Sequence, residues 1–295
     1  MQVFVTGATG FIGTALVDEL IGAGHRVRGL ARSDAGAEQL RAAGAEVQRG
    51  SLEDTASLRT GAAGMDAVAH LAFGLDMANF AQNAEIEVAA IETLGASLEP
   101  GSLLIVTSGL AGVPSKPGSL LCETDAAAVS PMMPRRPDQS VQAWRSRGLN
   151  TGVVRMSQIH DSRKQGVVQF MVQIARATGV SAYVEHGASR WSACSLADTA
   201  RLYRLALEKN ATEATYHAVD EQGVALKAIA EALGTALGLP VASLSREEAT
   251  AHFGPIAPFL SMDIQGSSEL TRQALHWQPT GPALIDDILV GGFAA

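Results

Sequence analysis

Gln2-Val3-Phe4-Val5-Thr6-Gly7-Ala8-Thr9-Gly10-Phe11-Ile12-Gly13 is the stretch whose reading decides the rest. Its first four residues read as a buried strand, and the turn after them runs without a spacer into a helical pattern carried by Ile12, Leu16 and Leu20. Gly7, Gly10 and Gly13 recur at every third position. The first can take the positive φ of a tight turn, the second lets a pyrophosphate approach the backbone, and the third lets the helix pack closely. An anion placed there faces free N–H groups and the positive end of the helix dipole. A glycine turn alone is a weak signal. With a strand before it and a helix after it, the turn becomes a dinucleotide-binding fingerprint, in which Thr9, Phe11 and Ile12 share.

Working outward, the same unit repeats. Residues 25–32 read as a second strand, 46–48 as a third, 66–72 as a fourth and 103–108 as a fifth, with helical stretches between them, the longest over about 77–98. A proline- and glycine-rich stretch fills 109–150 and ends in a helix near Trp144 to Arg147; a sixth strand spans 151–156. Beyond His160 the rhythm is mixed, with strands near 182–184 and 215–219, helices at 166–177, 197–207 and 226–237, and short helices after Ser245. Alternating strands and helices predict an α/β chain: a Rossmann-type, doubly wound parallel sheet with a smaller, interleaved C-terminal substrate-binding region. The expected division is a dinucleotide-binding domain over 1–160, to which 190–220 contributes, and a mostly substrate-binding region over 161–295.

Composition narrows the partners. Thirty acidic against 22 basic residues give a net charge of -8, with no basic run and few aromatics, which argues against nucleic acid and anionic membranes. Two distant cysteines, Cys122 and Cys194, match no metal-ligand spacing, so no metal site is expected and a reduced thiol pair is. The N-terminus lacks a charged leader, and no apolar run is long enough to span a membrane; a cytoplasmic protein is the expectation.

The second strand speaks to the nucleotide. A ribose diol is normally held by an acidic residue about 20 positions past the glycine turn. Here that place holds Ala31, followed by Arg32. A carboxylate repels a 2′-phosphate, whereas a guanidinium grips one, so NADP(H) is expected over NAD(H), with the Ser33 hydroxyl as an additional donor.

Several stretches together resemble the extended, atypical branch of the short-chain dehydrogenase/reductase superfamily, the NAD-dependent epimerase/dehydratase-like proteins. They are the Thr6–Gly13 turn, the strand ending His70-Leu71-Ala72, the strand ending Val106-Thr107-Ser108, and Leu275-His276-Trp277-Gln278-Pro279, which is similar to that branch's C-terminal L-G-W-x-P signature. The resemblance implies that Ser51-Leu52 stands where the family has Asp-Leu beside the adenine. It implies that Leu71, Ala72 and Phe73 line the ribose and nicotinamide side, and that Met156, Ser157 and Gln158 close over the nicotinamide. It also makes Ser108 the serine that hydrogen-bonds a substrate carbonyl, with Thr107 as the alternative register. Assembly as a homodimer through the helices after the fourth and fifth strands is a further implication.

One part of the pattern is missing. The superfamily's acid/base pair is a tyrosine followed four residues later by a lysine, on the helix after the fifth strand. The chain's tyrosines are Tyr183, Tyr203 and Tyr216, none at that spacing from a lysine. The matching segment, 130–139, carries prolines that hold off the helix until about Asp138, itself readable as a cap. Replacement proton donors are water, a substrate group, or Tyr183, His186 or His160; Arg190-Trp191 is a candidate substrate contact. The leading expectation is an NADP(H)-dependent reductase of a small-molecule carbonyl or C=N group. A non-catalytic NADP(H)-binding redox sensor is the alternative, and a sugar-nucleotide epimerase or dehydratase comes third.

Overall fold

The computed structural model describes residues 1–116 and 118–291; the last four residues of the expected C-terminal region lie outside them. Seven parallel strands form the main sheet: β1 (Gln2–Thr6), β2 (Arg26–Ala31), β3 (Glu46–Arg49), β4 (Ala67–His70), β5 (Leu103–Gly109), β6 (Asn150–Met156) and a late strand, Glu213–Ala218. Helices α1 (Phe11–Gly22), α2 (Asp34–Ala42), α3 (Thr55–Ala62), α4 (Phe80–Gly95) and α5 (Pro137–Arg145) connect the first six. The expected long helix from Met77 begins instead with a 3₁₀ turn, Met77–Asn79, capped by the Asp76 carboxylate, before α4 starts.

Between β6 and the late strand the chain makes β7 (Gln158–His160), α6 (Val168–Thr178), β8 (Ser181–Val184), β9 (Arg190–Ser195) and α7 (Leu196–Lys209); the late strand is then β10. After it come β11 (Glu221–Ala225), α8 (Leu226–Leu237), β12 (Val241–Leu244), α9 (Arg246–Phe253), α10 (Ala257–Leu260), α11 (Glu269–Leu275) and α12 (Leu284–Val290). The main sheet runs β10-β6-β5-β4-β1-β2-β3, and β11-β9-β7 and β12-β8 form two small sheets. Chain order therefore reverses between β1 and β4. Ligands of open parallel sheets sit outside the carboxyl ends of the strands at such a reversal.

Layering follows from alternation along the strands. Val3 and Val5 of β1 face one core with Leu16 and Leu20 of α1 and Leu202 and Tyr203 of α7. Phe4 faces the opposite core with Leu58 of α3, Ile91 of α4 and Trp144 of α5. A further apolar cluster gathers α6, α8, α9, α10 and α12 around Trp191 of β9. Trp277, 1% exposed, inserts into the α1/α7 core and donates from Nε1 to the Asp198 carbonyl at 3.0 Å. The late chain is thereby fastened to the first layer.

Candidate active site

The glycine turn is built as three separate solutions. Gly7 has φ +69°, and a Cβ there would meet the Ala72 amide nitrogen at 2.8 Å, because the loops after β1 and β4 lie against each other. A Cβ on Gly13 would stand 2.0 Å from the Gly7 carbonyl oxygen, so this glycine lets α1 close on its own turn. Gly10 differs: its Cβ would meet nothing nearer than the Gly7 oxygen at 3.1 Å, and the residue is exposed on the cleft. The turn thus offers bare backbone at the position a pyrophosphate needs, and the residues present fit a dinucleotide.

A cleft of about 730 Å³ opens over the carboxyl ends of the central strands. Gly7, Thr9, Gly10, Phe11, Ile12, Gly13, Arg32, Ser51, Leu52, Leu71, Ala72, Phe73, Thr107, Ser108, Met156, Ser157 and Gln158 all line it. Of the residues singled out for the nucleotide, Ser33 alone stands apart. Its hydroxyl accepts from the Gly36 amide at 3.1 Å as the N-cap of α2. Arg32 is exposed and makes no hydrogen bond or ion pair with any described residue. The next cation along the edge, Arg49, is already held by Asp34 and the Ser33 carbonyl. A carboxylate does reach the Ser51-Leu52 neighbourhood: Glu53 lines the cleft and accepts from the Ser51 hydroxyl at 3.3 Å.

At the other end of the cleft two neighbouring side chains of β5 separate cleanly. Thr107 faces the α7 side, donating from Oγ1 to the His70 carbonyl at 2.8 Å and sharing a 2.5 Å hydrogen bond with the Tyr203 hydroxyl. Ser108 faces the α5 side, lines the cleft and makes no hydrogen bond through its hydroxyl with any described residue. Its register partner on β6 is Arg155, whose partner on β10 is His217. Arg155 binds Asp138 with Nε at 2.9 Å and NH2 at 2.8 Å, both to Oδ1. Asp138 is therefore a buried ion-pair partner rather than a cap of α5, and its Oδ2 has no hydrogen-bond partner among the described residues. His217 has its Nδ1 2.8 Å from the Ser267 carbonyl and its Nε2 3.4 Å from Arg155, and burial holds its pKa below the ordinary value. Neutral, with the proton on Nδ1, it presents an acceptor to the guanidinium.

The segment where the superfamily's tyrosine and lysine stand holds Arg135. Its guanidinium binds both oxygens of the buried Glu87, at 3.0 and 2.5 Å, donates to the Thr107 carbonyl at 3.0 Å, and stacks 3.9 Å from the Phe73 ring centroid. NH1 has no partner among the described residues. Burial pushes the Glu87 carboxyl up while Arg135 pulls it down. Burial, reinforced by Arg135, lowers His70 to about 3. The sequence reading missed Arg135, Asp138 and Glu87 as site residues, since their partners lie 17 to 48 positions away.

The suggested proton donors lie elsewhere. His160 is fully buried and pairs with Asp287 at 2.7 Å, and neither it, Tyr183 nor His186 lines the cleft. Tyr203 is buried behind Thr107, with its phenol pushed well above the ordinary range by burial. Trp191 does line the cleft, while Arg190 faces an adjoining cavity. Ser157 is committed to the Ala218 carbonyl at 2.5 Å, and Gln158 accepts from the Val168 amide at 3.2 Å.

Comparison with known proteins agrees with this architecture. The NAD dependent epimerase/dehydratase family matches residues 3–98. Uncharacterized proteins of Schizosaccharomyces pombe and Saccharomyces cerevisiae are each 38% identical to this chain, over 98% of both partners. A short-chain dehydrogenase/reductase superfamily protein of Agrobacterium tumefaciens, solved with bound NAD, superposes with a TM-score of 0.72 at 18% identity, covering 98% of this chain and 95% of that one. Among the described residues no helix is long and apolar enough to cross a membrane.

Proposed function

Since the chain belongs to the NAD dependent epimerase/dehydratase family, whose members typically use an NAD(P) nucleotide, we propose that it is an NADP(H)-dependent oxidoreductase reducing a carbonyl or C=N group of a small molecule. The observation that carries this reading is that one cleft holds both an unpaired Arg32, beside the glycine turn's strand, and an unpartnered Ser108 hydroxyl at the end of β5. When bound, NADPH would supply the hydride with its electron pair to the carbonyl carbon as the C=O π bond opens and the oxygen takes a proton, leaving NADP⁺. Arg32 takes the 2′-phosphate, and Glu53 stands in for the acidic residue beside the adenine. Ser108 donates to the carbonyl oxygen, and the fixed charge of Arg135 offsets the negative charge that grows there. Among the described residues no tyrosine lines the cleft, which supports solvent as the source of the proton.

The test is NADPH oxidation, followed by absorbance, against a panel of ketones, aldehydes and imines. Ser108→Ala is expected to lower kcat by about 10²–10³-fold with NADPH binding intact. The absent tyrosine and lysine favour a second reading, a non-catalytic NADP(H) sensor. It would be supported by tight NADPH binding with no turnover on any member of the panel.

A further inference from the structure

The part of the cleft away from the glycine turn is walled by Phe170, Trp191, Ile256, Phe259, Leu260 and Ile264, all from the α6–α10 cluster or packed on it. Three cations line the whole cleft, and none belongs to this wall: Arg32 follows β2 at the far edge, Arg135 is ion-paired with Glu87, and Lys164 has its Nζ 5.5 Å from the ring of Phe11, over the turn. Asp138 also lines the cleft, but its carboxylate is paired with Arg155 and its second oxygen is buried. An anionic group on the acceptor, away from the reacting carbonyl, would shed its hydration against aromatic and aliphatic side chains, none of which carries a charge. An apolar one gains by burying surface.

We propose that the acceptor is an uncharged, predominantly apolar ketone or aldehyde, held by this wall, and not a phosphorylated, carboxylated or nucleotide-linked compound. The proposal rests on the oxidoreductase reading of the same cleft. It also separates this chain from any reaction that needs a second diphosphate site.

Calorimetric titration of the NADP⁺-loaded protein tests it without turnover, using straight-chain methyl ketones from four to nine carbons and the same ketones bearing a terminal carboxylate. Kd for the neutral series is expected to fall about fourfold per added methylene, with a negative heat-capacity change, and the carboxylates to bind at least tenfold more weakly. Phe259→Ser should flatten the chain-length dependence while leaving NADP⁺ affinity unchanged; should that variant not fold, Ile264→Thr serves the same purpose. Carboxylates binding as tightly as their neutral counterparts, a flat dependence on chain length, or no ketone binding at all would overturn the proposal. Graded ketone binding without any NADPH oxidation would instead overturn the oxidoreductase reading and leave the wall's preference standing.

Discussion

Arg32 presents a cation with no anion of its own, in a part of the molecule where Arg28 and Arg49 are both paired. Charge-assisted hydrogen bonds to a phosphate are among the stronger polar contacts. Arg32→Ala should therefore weaken NADPH binding by about 10- to 100-fold and leave NADH binding nearly unchanged, as measured by fluorescence titration of both. Gly10 and Gly13 make a contrasting pair. Gly10→Ala adds a methyl at the cleft surface with a single tight contact, 3.1 Å from the Gly7 carbonyl oxygen, so the unliganded melting temperature should fall less than for Gly13→Ala while NADPH affinity drops at least tenfold. Gly13→Ala drives a methyl into the Gly7 carbonyl and should lower the melting temperature itself. His70 sets a pH dependence. Its folded pKa, about 3, lies below the ordinary 6.5, so the unfolded chain binds more protons in between. The stability tied to the neutral ring is complete above pH 6.5 and is lost as pH falls towards 3. Denaturant titrations from pH 7 to 4 should show a steeper loss for the native chain than for a His70→Gln variant.

Among the elements, the β–α alternation of the first half is plain in the sequence, because β1, β4 and β5 are short apolar runs and turn glycines such as Gly24, Gly44, Gly64 and Gly101 separate the helices from the strands that follow. The start of α5 is equally plain, since Pro137 occupies its first turn. What sequence could not show is β7, β9, β11 and β12. Each has three to six residues, and β9, Arg190-Trp191-Ser192-Ala193-Cys194-Ser195, contains no β-branched residue; it is a strand because it is clamped between β11 and β7. The candidate site divides the same way. Its nucleotide half is local in sequence and legible as a motif. The Arg135–Glu87 and Asp138–Arg155 pairs exist only once α4, α5 and β6 are packed. Trp277 belongs to this scale as well: removing its ring leaves a cavity in the core that α1 and α7 share and takes a hydrogen bond from the Asp198 carbonyl. Trp277→Ala should cost about 3–5 kcal/mol of unfolding free energy, read from denaturant midpoints at unchanged slope.

Taken whole, the molecule places its cleft between the layered sheet and the cluster around Trp191, and the chain passes between these bodies more than once. β6 leads to the second body, α7 and β10 return to the first, and Trp277 returns again. A ligand spanning the cleft touches both, so NADPH should protect the entire fold. At 100 times its Kd the nucleotide is expected to add about 2.7 kcal/mol, seen as a single thermal transition moved upward with no second step. Two separate transitions, only one of them moving, would show that the bodies unfold independently.

The Trp277 clasp also sets an order of events during synthesis. Its indole closes on the carbonyl of Asp198, a residue made 79 positions earlier. At about 5–20 residues per second the ribosome needs roughly 4–16 s to deliver that ring, during which the core under α7 stays partly uncovered. A nascent chain stalled short of this tryptophan would be a client for chaperones, even with its glycine turn and all seven parallel strands already made.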